Sequence, residues 1–134
     1  MATPKLYVMT VYVDANGILA FDSIASDGTN ARPHDPQVIL KPNDYLKWHI
    51  GGNLQDAHKP ITEAEINMAQ ASPFQSGVLY WKWPSGDNPA GCPECLPFNI
   101  KAGPYRCGVA IAVADGSCKL GELFVTVSAT KNKK

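Results

Sequence analysis

The sequence has no surplus of either charge: its 134 residues carry 12 Lys plus Arg and 12 Asp plus Glu, for a formal net charge of zero. That balance argues against nucleic acid as the main partner, which needs a basic surface to displace counterions. The one basic run is Lys131, Lys133 and Lys134, read as a solvated C-terminal tail over 131–134. Long apolar runs are also missing. The longest, 109–114, falls far below the ~20 residues of a membrane-spanning helix. No signal peptide is expected in this chain, because residues 5–13 alternate like a strand and form no continuous apolar segment. The sequence leaves the compartment open. It contains no Ser-His-Asp order, nucleophile elbow, apolar pair of carboxylates or phosphate loop, so nothing points to an enzyme. Repeats and linkers are absent too, and one domain over 1–130 is expected.

What is present reads as β-structure. The hydrophobic fraction of 45% suits an ordinary core, while 11 glycines and 11 prolines cut the chain into short segments. Residues 5–13 alternate with two fairly apolar faces, Leu6, Val8, Thr10 and Tyr12 against Tyr7, Met9, Val11 and Val13. Asp14, Ala15, Asn16 and Gly17 form a turn signal, and 18–24 reads as the returning strand. A polar loop over 25–36 precedes a short strand at 37–40, a turn at 41–44 and a strand at 45–50. In that strand Leu46, Trp48 and Ile50 share one face and His49 lies on the polar one. Further strands are expected at 77–83, 96–101, 105–113 and 120–128. Thr62 and Glu65 have capping-box spacing before a helix-favouring composition, which predicts one short helix over 62–70. About eight strands at this spacing imply an all-β, two-sheet sandwich. Its core is expected to hold Trp48, Leu46, Trp81, Leu79, Tyr105 and Phe124.

Four cysteines stand at Cys92, Cys95, Cys107 and Cys118. An even number in a small β domain suits disulfides in an oxidising compartment, and the same residues suit reduced thiols or metal ligands elsewhere. Cys92-Pro93-Glu94-Cys95 has Cys-x-x-Cys spacing. Redox catalysis wants a helix after the first cysteine, whereas Pro97 and a strand pattern follow here. A structural disulfide is the plainer reading, within the pair or across to Cys107 or Cys118. His34, between Pro33 and Pro36, reads as an exposed loop residue.

Two segments resemble the cupredoxin family of Greek-key sandwiches. Residues 38–48, with Lys41-Pro42-Asn43-Asp44 between two strands and Trp48 near the end, are similar to the family's strand, turn and strand. Residues 98–107, with Gly103-Pro104-Tyr105 leading to Cys107, resemble the strand that carries the copper-binding cysteine, and 121–127 looks like the last strand. The resemblance implies a Greek-key fold. It also assigns Cys107 to the copper cysteine and His58 to the first histidine. The set then breaks, because 108–117 contains no histidine and no methionine follows Met68. A complete blue-copper site, with two His, one Cys and a weak axial Met, is therefore not expected. The resemblance places Cys107 and Cys118 on either side of the ligand loop. There they read as a disulfide, or as a reorganised copper or zinc site with His58. In such a sandwich Cys92 and Cys95 would join them at one end.

The leading expectation is a non-catalytic binding or structural module without a cofactor. Its partner is an unidentified protein or small molecule, met by the loops holding His58, 86–95 and 115–117. The alternative is a metal-binding protein using Cys107, Cys118 and His58.

Overall fold

The structure is a computed structural model and describes residues 3–14, 16–51, 61–84, 91–114 and 116–128. The described residues are all-β and contain no helix. They form nine strands: β1 (Leu6–Val13), β2 (Leu19–Ala25), β3 (Gln37–Leu40), β4 (Tyr45–Ile50), β5 (Ile61–Met68), β6 (Tyr80–Trp83), β7 (Glu94–Cys95), β8 (Gly103–Val113) and β9 (Cys118–Val127). These make a four-stranded sheet in the order β2-β1-β4-β7 and a five-stranded sheet in the order β3-β9-β8-β5-β6. Both sheets are mixed. β1 runs parallel to β4, and β3 runs parallel to β9.

The core lies between the sheets and follows the two-residue period of the strands. From the smaller sheet Met9, Val11, Val13, Leu46 and Trp48 point inward. The larger sheet contributes Ile66, Trp81, Val109, Leu123 and Val125. Trp48 and Trp81 meet edge to face across the gap, with ring centroids 5.2 Å apart, and Phe74 packs on Trp81 at 5.7 Å. Such geometry suits the quadrupoles of aromatic rings.

The expected helix over 62–70 is corrected to strand β5. Ala64, Ile66 and Met68 are buried while Glu63 and Asn67 are not, which is alternation and not a helical stripe. β5 is paired along its length to β8 on one side and to β6 on the other. Two ladders and a buried face override the helix propensity of Glu, Ala and Met. Thr62 does not cap a helix; its hydroxyl donates to the Ala112 carbonyl at 3.2 Å.

The strand expected at 96–101 is also corrected. Only Glu94 and Cys95 pair, against Leu46 and Tyr45. Pro97 has no N–H to give a ladder, and its carbonyl instead accepts Ile100 N in a turn. Two core expectations change as well. Leu79 is 48% exposed because β6 begins after it. Phe124 is half-buried, since Leu123, Val125 and Val127 are the inward set of β9. Tyr105 packs on the core as a partly buried residue.

The molecule has two distinct ends. At one, the β1–β2 turn around Gly17 lies near Lys119 and Leu120. At the other is the turn through Pro42. There Asn43 N donates to Leu96 O, Leu96 N to Asp44 O, and Ser128 N to Leu40 O.

Candidate functional site

Cys107 sits in the middle of β8 on its inward face and is fully buried. β8 pairs with β5 so that Cys107 stands opposite Met68. The thiol donates to the Met68 thioether with the sulfurs 3.2 Å apart. Burial pushes the Cys107 thiol up to about 12 from 9.0. A thiolate is the form that binds metals and attacks electrophiles, so this site holds the unreactive form.

The cysteines do not gather. All four are free thiols, with Cys92 and Cys118 exposed and Cys95 half-buried. The expected disulfides are therefore absent, and the β8–β9 register gives a physical reason. Cys107 stands opposite Leu123, whereas Cys118 stands opposite Ala112. At a rise of about 3.3 Å per residue, Cys118 is roughly 17 Å along the strand from Cys107, while a disulfide needs Cα atoms within about 7 Å. Cys95 pairs with Tyr45 at the Pro42 end, and Cys118 begins β9 at the Gly17 end. The Cys95 thiol points at the carbonyls of Leu96, 3.4 Å away, and Asn43, 3.9 Å away.

His58 lies outside the described residues, as do 86–90 and Asp115 of the expected binding loops. His49 is exposed on the outer face of β4. Among the described residues no group of three or more His, Cys, Asp or Glu side chains is placed to hold a metal ion. Among the described residues, Cys107 meets the Met68 thioether within the hydrophobic core.

A broad cleft lies elsewhere, between the edges of the two sheets. It measures about 630 Å³, within the usual range for ligand sites of about 300–1,000 Å³. Leu19, Ala20 and Phe21 of β2 form one wall and 119–122 of β9 the other. The opening exists because β3 starts late. Gln37 is its first residue, opposite Phe124, so no described strand covers β9 upstream of that point. Gly121 lets the walls approach, since a Cβ there would come within 2.8 Å of Leu19 Cδ2. Ile18 and Leu120 are exposed apolar side chains along its length.

His34 stands on the rim in a conformation rare for any residue but glycine, with φ at 53°. Asp22 holds it there. Its Oδ1 accepts His34 N at 2.8 Å and the Tyr12 hydroxyl at 2.9 Å. Tyr12 Oη lies 3.4 Å from His34 Nδ1, and the two rings meet edge to face at 6.1 Å. An ion pair between Arg32 and Asp35 at 2.7 Å brackets the loop. This cleft is a mixed trough, with Ile18, Leu19, Phe21 and Leu120 as its apolar wall and Asp14, Lys119, Glu122 and the clamped His34 imidazole as its polar groups, an arrangement suited to holding a ligand. Sequence reasoning treated His34 as a plain loop residue. The missed signal was local, a His between two prolines twelve residues after an Asp on a strand.

Comparison with known proteins finds no matching family model and no matching curated relative.

Proposed function

We propose that this chain is a non-catalytic binding module on a cupredoxin-like, Greek-key sandwich that does not carry a blue-copper centre. The observation that carries the reading is the state of Cys107. The residue that the family resemblance assigns to copper is an internal packing residue, a protonated thiol against Met68. The mixed sheets, with β1 parallel to β4 and with Leu40 of β3 and Gly103 of β8 flanking Val127 of β9, favour the cupredoxin-like arrangement. The ligand seat is the cleft between β2 and β9, with His34 among its polar contacts beside Asp14, Lys119 and Glu122.

Two readouts test this. Incubation with Cu(II) is expected to produce no intense visible band; a strong thiolate-to-copper band with a reversible redox couple would overturn the copper-free reading. A fragment screen read by backbone amide shifts is expected to cluster on 18–21, His34 and 119–122. Hits confined to other surfaces would overturn the choice of seat.

A further inference from the structure

A second cavity, at the Pro42 end, has a different chemistry from the cleft. It measures about 310 Å³ and is lined by Arg32 and Lys41 and, among the described residues, by no Asp or Glu. Tyr7 forms part of its wall although 94% of that residue is out of solvent, its exposure being 6%. The Tyr7 hydroxyl accepts Asn30 Nδ2 at 2.7 Å, and no acceptor for its own proton is found among the described residues. Arg32 uses Nη2 on Asp35, while its Nε is buried without a partner. The Lys41 ammonium has no ion pair among the described residues; its bonds to Asp44 are made by the backbone, its N–H donating to the carboxylate and its carbonyl accepting Asp44 N. Three residues with donor groups therefore border this cavity: Tyr7 with a hydroxyl, Arg32 with a guanidinium N–H and Lys41 with an ammonium. The Arg32 Nε is buried without a partner, which is costly, while the Lys41 side chain is exposed at the mouth; an oxyanion in the cavity can accept from all three.

A neighbouring cavity of about 350 Å³ shares Tyr7, Asn30 and Lys41 with the first. It adds Pro42 and Phe98, a ring that is 78% exposed, beside Lys5. Its one carboxylate, Asp44, is engaged by the backbone N–H groups of Lys5 and Lys41 at 2.9 Å each. The pair of cavities thus offers a cationic socket and an apolar shelf beside it.

We propose that Tyr7, Arg32 and Lys41 form a binding site for a small organic anion, a carboxylate or phosphate head in the socket with an apolar or aromatic body over Phe98. The site is independent of the β2–β9 cleft and of the copper question.

Titration of the full chain with inorganic phosphate, benzoate and phenyl phosphate, followed by amide shifts, tests it. Saturable shifts at 30–32, 39–41 and Phe98 are expected, with phenyl phosphate tighter than inorganic phosphate and all binding weakened by added salt. The preference between benzoate and phenyl phosphate identifies the head group. Lys41→Gln and Tyr7→Phe, each checked for cooperative unfolding, should weaken binding roughly tenfold, as expected for loss of a hydrogen bond to a charged group. No saturable shift at these amides with any of the three probes would overturn the proposal. So would unchanged affinity in both variants.

Discussion

At Cys107 a single sulfur decides between two chemistries. An exposed thiol has its ordinary acidity, but this one is enclosed by the core with its hydrogen on the Met68 thioether. Burial disfavours the charged form and raises its pKa from 9.0 to about 12. The consequence for stability has a definite sign. A group whose folded pKa is raised contributes fully below its unfolded pKa, and that contribution is lost as pH rises through the folded value. The native protein should therefore lose stability between pH 9.0 and about 12 through this residue. Cys107→Ala is less stable than the parent at neutral pH because it leaves a cavity. The difference should shrink as pH climbs through that window. Urea unfolding of both proteins at neutral and alkaline pH checks this, and a difference independent of pH would contradict it.

The turn between β3 and β4 is held by one side chain. Asn43 takes φ 76°, which asparagine tolerates, and Asp44 N donates back to Lys41 O at 3.0 Å. The Asp44 carboxylate is 5% exposed and accepts Lys5 N on one oxygen and Lys41 N on the other. It thereby ties the start of β1 to the end of β3. Asp44→Ala should cost about 2–4 kcal/mol, two charge-assisted bonds less some replacement by water. Thermal unfolding measures it, and a shift no larger than that of an exposed Asp→Ala control would refute the role.

This turn and the strands around it were legible in the sequence because their signals are local: Pro42, Asn43, Asp44 and strict alternation in Leu46, Trp48 and Ile50. β5 was not, because Thr62 and Glu65 have helical cap spacing while the forces that make them a strand come from β6 and β8. The free cysteines were misjudged for the same reason. Their spacing in sequence is compatible with bridges, and only the β8–β9 register shows that Cys107 and Cys118 are far apart. The cleft and the cationic socket were invisible. Both depend on where β3 begins and on which residues the loop over 26–36 brings against β1 and β2.

At the scale of the whole molecule, an edge-to-face aromatic contact joins the two sheets. Trp48 belongs to β4 of the smaller sheet and Trp81 to β6 of the larger. Their indole N–H groups are both buried without a protein acceptor among the described residues, so packing holds this seam and hydrogen bonding does not. Two identical chromophores 5.2 Å apart and inclined at 61° cannot absorb independently. Their electronic transitions mix, and the pair should show a split circular dichroism band of opposite lobes. That band reads the docking of one sheet on the other, not the strands themselves. Trp81→Phe should erase it while leaving the backbone signal, since the smaller ring fills part of the site and removes an unpaired donor. On heating, the band becomes a clock for the order of events. If the sheets separate before their ladders melt, the couplet disappears first, and the protein itself reports which of its two kinds of order is lost earlier.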